Sequence, residues 1–195
     1  MDDRIIILDV NVMSPIRRVS FGKGCGLLSW IAEYYNMCMI SQEQYQKSPC
    51  KHYECFCRPI EDGCDFSSED VFAFFYDNAG SMMKILSDFT DGKIVYFASL
   101  ESALVVSSDR GVLQACRICN IDRLCFKAFM VNFHDKCSIL ELHGGEFDFG
   151  LLFDRDSENP FHSFFKNTRC KQCCDRECEA ISKGQKLETE LIIPD

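Results

Sequence analysis

The sequence predicts an α/β fold built around a parallel sheet. Two observations support this class. First, the chain contains short apolar runs without alternation, which are typical of strands buried on both faces. Second, these runs alternate with amphipathic segments of helical spacing from residue 5 to about residue 142, the pattern of a doubly wound sheet. The 195 residues are enough for one such domain and a modest appendage.

The first part of the chain predicts two strands, two helices and an inserted loop. Ile5–Leu8 is a continuous apolar run and predicts a strand. Gly22–Tyr35 carries apolar residues at helical spacing and predicts an amphipathic helix. Met37–Ile40 predicts the second strand, and Ser41-Gln42-Glu43 predicts the N-cap and first turn of a short helix. Residues 48–66 contain four cysteines and two prolines without periodicity, which predicts an inserted loop.

The second part continues the alternation of helix and strand. Ser67 and Ser68 stand before two acids, which predicts a helix start. Apolar residues at helical spacing extend this helix to about Ser87, and Asp91-Gly92 predicts a break. The elements predicted after the break are a helix at Ile94–Ser102, a strand at Ala103–Ser107, a helix at Asp109–Cys119 and a strand at Ile121–Phe126.

Composition narrows the function classes. Lys and Arg total 21 and Asp and Glu total 30, so the formal net charge is −9. A protein whose main task is sequence-independent binding of nucleic acid should be basic, so any nucleic-acid contact must be local and metal-assisted. No run approaches the roughly 18–20 apolar residues that cross a bilayer, and Asp2 and Asp3 stand where a secretion signal would be basic. We therefore expect a soluble, cytoplasmic protein without a membrane partner.

Three aspartates stand where the ends of predicted strands and helices meet. Asp9 closes the first strand, Asp109 follows the strand at Ala103–Ser107, and Asp91 precedes Asp109 by 18 residues. If the two strands are neighbours, the carboxylates converge, and a pair ~4 Å apart repels by about 4 kcal/mol at an effective dielectric near 20. Such a cluster holds protons at raised pKa or holds a cation such as Mg²⁺ or Mn²⁺. The alternative is that each aspartate is only a helix N-cap or turn former.

The ordered set of motifs resembles the PIN domain, a family of metal-dependent nucleases that mostly act on RNA. The motifs are Leu8-Asp9-Val10-Asn11-Val12, and Asp91 followed after 18 residues by Asp109 in Ser-Ser-Asp-Arg-Gly-Val-Leu-Gln-Ala. The resemblance covers residues 4 to 135 apart from the insert at 48–66. It implies a three-layer α/β/α fold with a parallel sheet, and three or four acids that hold Mg²⁺ or Mn²⁺.

The resemblance also implies roles for individual residues. Asp9, Asp91 and Asp109 match the first, third and last acids of the family, so they would be the catalytic metal ligands. Asn11 and Ser107 match positions beside these acids and would contact substrate.

Two positions depart from the family pattern. Val10 stands where Thr or Ser is usual, and Lys47 stands near the position of the second acid. Glu43, one helical turn upstream of Lys47, is the nearest substitute, and Glu54 is a more distant one. The alternative for Glu43 is a solvated acid in the first turn of a helix.

Basic residues are expected around the acidic site. Arg17, Arg18 and Lys23 follow the first strand, and Arg110 adjoins Asp109. A basic rim of this kind could bind the phosphates of RNA despite the negative total charge. The alternative is ordinary surface charge.

The chain contains 14 cysteines, and in a cytoplasmic protein these predict reduced thiols and a metal site rather than disulfides. The densest cluster contains Cys170, Cys173 and Cys178, which is typical of half of a tetrahedral zinc site. A cysteine of the insert, such as Cys55, would supply the other half. Free thiols and redox chemistry stay open as alternatives.

These observations predict a PIN-like endoribonuclease that hydrolyses RNA phosphodiesters with Mg²⁺ or Mn²⁺. The expected division is a PIN-like domain at 1–143 and a cysteine-containing extension at 144–195. The alternative function is a catalytically inactive PIN-like module that binds a protein or RNA partner, and a weaker third option is a zinc-stabilised RNA-binding protein of different fold. An inhibitory protein partner and a homodimer also stay open.

Overall fold

The structure, a computed structural model, describes residues 2–18, 20–21, 25–41, 45–46, 57–60, 66–82, 85–86, 88–126, 128–130 and 133. Within these residues the predicted α/β class is confirmed, because a five-stranded parallel sheet is covered by helices on both faces. The predicted extension at 144–195 lies outside the described residues, as do Gln42 and Glu43 of the predicted short helix.

The described elements follow one another in the order expected of a doubly wound domain. In chain order they are β1 (Asp2–Leu8), α1 (Val10–Arg18), β2 (Ser20–Phe21), β3 (Cys25–Gly26), α2 (Leu27–Tyr34), β4 (Tyr35–Ile40), β5 (Cys57–Pro59), α3 (Ser68–Ala79), α4 (Phe89–Glu101), β6 (Leu104–Ser107), α5 (Arg110–Ile118) and β7 (Arg123–Cys125). The strands β2 and β3 form a separate antiparallel pair.

The strand order in the main sheet is β5-β4-β1-β6-β7, and every neighbouring pair is parallel. The chain runs outward from β1 through β4 to β5, then returns to the other side of β1 at β6. The strand order therefore reverses between β1 and β6, where Ile6 pairs with Leu104 and Leu8 with Val106. In open α/β sheets ligands bind beyond the carboxyl ends of the strands at such a reversal point.

Alternation along the central strands divides the core between the two faces of the sheet. Ile6 and Leu8 point to one face, and Ile7 points to the other. The first core also contains Val12, Ile16, Leu28, Ile31, Phe126 and Phe129; the second contains Val71, Phe75, Ile94, Val95, Val105 and Val112. Because both faces are covered, the central residues of the strands are apolar, which explains their runs without alternation.

The predicted loop at 48–66 is wrong at Cys57–Pro59, which forms the edge strand β5. This strand pairs in parallel with β4, and Cys57 lies opposite Cys38 with their Sγ atoms 3.3 Å apart. The rest of the predicted loop, apart from Ile60 and Phe66, lies outside the described residues. A three-residue strand gains its structure from backbone pairing with β4, so its sequence carries no periodic signal.

The predicted start of α3 is confirmed, but its predicted end is wrong. Ser67 is the N-cap, and its side chain accepts a hydrogen bond from the Asp70 N–H at 3.1 Å. The helix ends at Ala79 rather than near Ser87, because Gly80 adopts a left-handed φ of 71° and closes the helix.

The predicted break at Asp91-Gly92 is also wrong, since both residues lie in the first turn of α4. The helix begins at Phe89, after the N-cap Asp88. Gly92 is needed there for close packing rather than for a turn. A Cβ at this position would lie 2.5 Å from the Met82 Sδ and 3.3 Å from a Val71 methyl carbon.

The segment between β1 and β4 is more divided than the sequence predicts. Of the predicted helix Gly22–Tyr35, only Leu27–Tyr34 is helical among the described residues, while Cys25 and Gly26 form β3 and Tyr35 begins β4. The helix α1 was not predicted at all. It contains the backbone of Arg17 and Arg18 in its last turn.

Candidate functional site: an acidic cluster at the carboxyl edge of the sheet

Asp9 lies at the centre of the site because it connects β1, β6 and α1. Its backbone N–H donates to the Val106 carbonyl at 3.0 Å, which continues the pairing of β1 with β6. Its carbonyl accepts from the N–H groups of Val12 and Met13, both at 2.9 Å, and so begins α1. The side chain is therefore placed at the strand reversal, and the residue is 2 % exposed.

The buried Asp9 carboxylate is held by two side chains. Ser107 donates its hydroxyl to Asp9 Oδ2 at 2.5 Å, and Asn11 Nδ2 donates to the same oxygen at 2.7 Å. Burial nevertheless raises the pKa of Asp9 above its ordinary value, and the Asp109 charge adds to this effect, while the hydrogen bonds from Ser107 and Asn11 oppose it.

Asn11 and Ser107 also organise the loop that follows β6. The Asn11 Oδ1 accepts from the Ser108 N–H at 2.8 Å, and the Ser107 Oγ accepts from the Asp109 N–H at 2.9 Å. Both residues therefore position Asp9 and Asp109 relative to each other. Their predicted contact with substrate stays a prediction.

Asp109 is the N-cap of α5, as the simpler interpretation of a strand-following aspartate predicts. Its Oδ1 accepts from the N–H groups of Gly111 at 2.6 Å and Val112 at 3.4 Å. A carboxylate at this position is stabilised by the amides and by the helix dipole. Capping therefore explains the place of one oxygen of Asp109, but it does not explain the presence of two further acids nearby.

Asp91 completes the group from the first turn of α4. Burial, together with the charges of Asp9, Asp88 and Asp109, raises the pKa of Asp91 to about 7. The strands that precede Asp9 and Asp109 are neighbours, which convergence of the carboxylates requires, and the convergence itself stays a prediction.

Asp88 is a fourth acid of this region that the sequence reasoning missed. It caps α4, and its Oδ1 accepts from the Thr90 N–H at 2.8 Å. The available signal was an aspartate three residues before another acid, the pattern of a helix N-terminus. Because Asp91-Gly92 was predicted to be a break, the helix was expected to begin after Gly92, and Asp88 was not identified as its N-cap.

The other predicted site residues lie at different distances from this edge, or outside the described residues. Arg110 is exposed in the first turn of α5, beside Asp109. The backbone of Arg17 and Arg18 lies about 10–12 Å along α1 from Val10, at a rise of about 1.5 Å per residue. The predicted residues outside the described ranges are Lys23, Glu43, Lys47, Glu54, Cys55, Cys170, Cys173 and Cys178.

The donor set is of the kind that a hard divalent cation binds. Carboxylate oxygens are the preferred ligands of Mg²⁺ and Mn²⁺, and the raised pKa of Asp91 reflects negative charge that a cation would offset. Within the described ranges, however, no three His, Cys, Asp or Glu side chains are close enough together to hold one ion. The chemistry of the residues fits a metal, and their side chains would have to move closer to bind it.

Comparison with known proteins adds no family. No model of a known protein family matches the chain, and no curated protein matches it either. The resemblance to PIN domains therefore rests on the residues quoted above. None of the helices in the described part of the chain is both long and apolar enough to cross a bilayer.

Proposed function

We propose that the chain is a PIN-like endoribonuclease that depends on Mg²⁺ or Mn²⁺. The feature that supports this best is the position of Asp9 and Asp109 directly beyond the neighbouring strands β1 and β6, with Asp91 close enough to be influenced by both charges. The place beyond the strand ends is where α/β sheets bind ligands. There the negative charge of each acid opposes ionisation of the others, unless a proton or a cation offsets it. A metal site accounts for this arrangement better than helix capping alone.

Each acid would contribute differently. Asp9 is oriented by Ser107 and Asn11, so little further ordering is needed for it to bind a cation. Asp91 changes its protonation state near neutral pH and would become fully ionised on binding. Asp109 has one oxygen engaged in capping α5 and a second oxygen to offer. Glu43 as a fourth ligand stays a prediction from the sequence.

The metal would supply an activated water and would offset the charge that develops on the phosphodiester. The chain's own residues would bring the RNA to it. The N-terminal turn of α5 carries the exposed Arg110, whose guanidinium is suited to a phosphate. Because the net charge is −9, we expect this contact to be local and sensitive to salt.

The decisive experiment is Mn²⁺-dependent cleavage of labelled RNA by the full chain and by Asp9→Asn. We expect the substitution to lower the cleavage rate by at least about 100-fold. It removes the negative charge of Asp9, which would bind the metal ion that stabilises the transition state. Asp122→Asn is the matched control, because Asp122 is an exposed acid that pairs with Arg4 at the other end of the sheet. Equal cleavage by the wild type and Asp9→Asn, above a clean background, would refute the proposal.

The inactive interaction module is the second candidate function. It is favoured by the absence, among the described residues, of three side chains grouped closely enough for a metal. It is also favoured by the engagement of Asp9 and Asp109 with protein donors. A wild type that neither cleaves RNA nor gains thermal stability with Mn²⁺ would support this module and exclude the enzyme.

Several finer predictions belong with this proposal. RNA as substrate, an inhibitory protein partner, a homodimer and a cytoplasmic location all derive from the sequence. The same holds for a structural zinc ion bound by Cys170, Cys173, Cys178 and Cys55. Metal analysis of the purified chain tests the last of these, and a zinc content far below one ion per chain would exclude it.

A further inference from the structure

The helix α3 has an apolar stripe on its solvent side that the core does not use. Val71 and Phe75 are fully buried against the sheet, whereas Phe72 and Tyr76 are 46 % and 73 % exposed. Phe72 and Tyr76 are four residues apart and lie on the same side of the helix. Two large exposed aromatic side chains in adjacent turns leave apolar surface in contact with water. This favours a second surface that covers them.

The first turn of α4 extends this stripe. The rings of Phe72 and Phe89 lie 5.7 Å apart between centroids. The Lys93 Nζ lies 5.4 Å from the centroid of Phe89, at the distance of a cation–π contact. The aromatic surface thus already holds one cation, supplied by the chain itself.

Exposed acidic side chains lie on the same two helices as the aromatic ones. Glu69, Asp70 and Asp77 are exposed on α3, which contains no basic residue, and Asp88 is exposed at the start of α4. Together these side chains form the aromatic–acidic face, which consists of Glu69, Asp70, Phe72, Tyr76, Asp77, Asp88, Phe89 and Lys93. Its four carboxylates exceed its single ammonium group by three charges.

We infer that the aromatic–acidic face docks a basic segment of another protein, one in which Arg or Lys alternates with aliphatic side chains. Guanidinium groups stack on aromatic rings and pair with carboxylates, and this face offers both within two helical turns. Exposed Tyr and Phe would serve as the central anchors of such a contact. The inference does not depend on the proposed metal site.

The charge of the face disfavours the other occupants. RNA phosphates would meet four carboxylates around the rings, which opposes stacking of bases there. A second copy of the chain docked symmetrically through the same face would place these acids against themselves, and like charges at an interface cost several kcal/mol.

The probe is a fluorescein-labelled helical peptide with Arg and Leu on one side, titrated with the full chain and followed by anisotropy. We expect Tyr76→Ala and Asp77→Lys each to weaken binding about tenfold. Tyr76→Phe keeps the ring and should stay within about twofold of the wild type. Rising ionic strength should weaken binding, because the contact depends on charge.

Matched controls are available on the same protein. Ile118→Ala removes an exposed apolar side chain from α5, and Glu101→Lys reverses an exposed charge about 18 Å along α4 from Phe89. Both should bind the peptide as the wild type does. Asp77→Lys should fold normally, because a cation in the last turn of α3 interacts favourably with the helix dipole. Thermal unfolding of each variant checks this.

Three outcomes would overturn the inference. The first is no binding of the peptide, or equal weakening by Tyr76→Ala and Ile118→Ala. The second is binding of a single-stranded RNA oligonucleotide that Tyr76→Ala abolishes while peptide binding is unchanged. The third is self-association, measured by sedimentation, that is lost in Tyr76→Ala. Weakening confined to Tyr76→Ala and Asp77→Lys supports the inference.

Discussion

Like side chains meet on neighbouring strands at two places in the sheet, and the chemistry of the two places differs. Beyond β1 and β6 the carboxylates of Asp9 and Asp109 repel each other, and Asp91 adds to the repulsion. Between β4 and β5 the buried thiols of Cys38 and Cys57 lie opposite each other, with sulfur atoms 3.3 Å apart. The thiols lie within the parallel register of their strands, whereas the two carboxylates lie beyond the last paired residues of theirs.

The difference lies in whether the paired groups carry charge at neutral pH. The pKa of Asp91 is raised to about 7, so the energy of the acidic cluster changes with pH and with cations. The hydrogen bond with Cys57 and the burial of the site raise the pKa of Cys38 well above its ordinary value, so the Cys38 thiol stays uncharged at neutral pH. Pairing alone therefore does not create a functional site, and only the charged pair can respond to a ligand of opposite charge.

The largest expected effect on stability comes from removing the charge of Asp91. Below pH ~4 the residue is protonated in both folded and unfolded chains, so Asp91→Asn should then be neutral. Between an unfolded pKa of 3.8 and a folded pKa of about 7, stability falls as pH rises. At higher pH, without divalent cations, Asp91→Asn should raise the free energy of unfolding by about 1–3 kcal/mol, measured by urea unfolding.

Mn²⁺ should reduce this difference in stability between the two proteins. At about 100 times its dissociation constant, the ion should stabilise the wild type by about 2.7 kcal/mol, and Asp91→Asn by less. Glu101→Gln, an exposed acid near the end of α4, serves as the control and should behave as the wild type. A destabilised Asp91→Asn in metal-free buffer at pH ~8 would contradict the repulsion described for the cluster.

A smaller, pH-independent effect is expected at the thiol pair. Cys57→Ala removes a buried sulfur from the edge strand and should lower the free energy of unfolding by about 1–2 kcal/mol, because it leaves a small cavity beside Cys38. The loss should be equal at pH ~5 and pH ~7, because the hydrogen bond with Cys57 and burial raise the pKa of the Cys38 thiol well above its ordinary value. Urea unfolding at the two pH values tests this. A decrease in the free energy of unfolding that grows with pH would contradict the proposed difference between the thiols and the acids.

The smallest expected effect separates capping from charge at Asp109. Asp109→Asn keeps an oxygen for the Gly111 N–H and should be neutral or slightly stabilising without metal. Asp109→Ala loses the cap and should destabilise by about 1 kcal/mol, as should Asp88→Ala at the start of α4. Thermal unfolding of the three variants tests this. If Asp109→Asn cost as much as Asp109→Ala, the Oδ1 cap would not be the stabilising contact.

Much of the fold was predictable where local signals and burial agree. The strands β1, β4, β6 and β7 are apolar because both faces of the sheet are covered, so each appears as a short continuous run. Ser67 with the acids after it marked the start of α3, and Asp109 marked the start of α5. The acids Asp9, Asp91 and Asp109 were also singled out, because their positions at element ends are local features.

The errors arose where packing or pairing overrides local preference. Pro15 lacks an N–H and weakens the helical signal of α1. Gly92 resembles a breaker but serves a close helix packing against Met82. The strand β5 exists only because β4 offers an edge to pair with. In contrast, the end of α3 at Gly80 had a local signal, a glycine after the last apolar turn, which the longer apolar pattern obscured.

The amino-acid sequence by itself determined the alternation of helix and strand and the placement of an aspartate after β1 and after β6. Periodicity and capping are properties of a few consecutive residues, so the sequence carries them directly. The tertiary structure alone decided that β1 and β6 are neighbours, that Asp91 turns toward the same edge, and that Phe72 and Tyr76 stay exposed. Those facts depend on contacts between residues far apart in the chain, and both proposals rest on them.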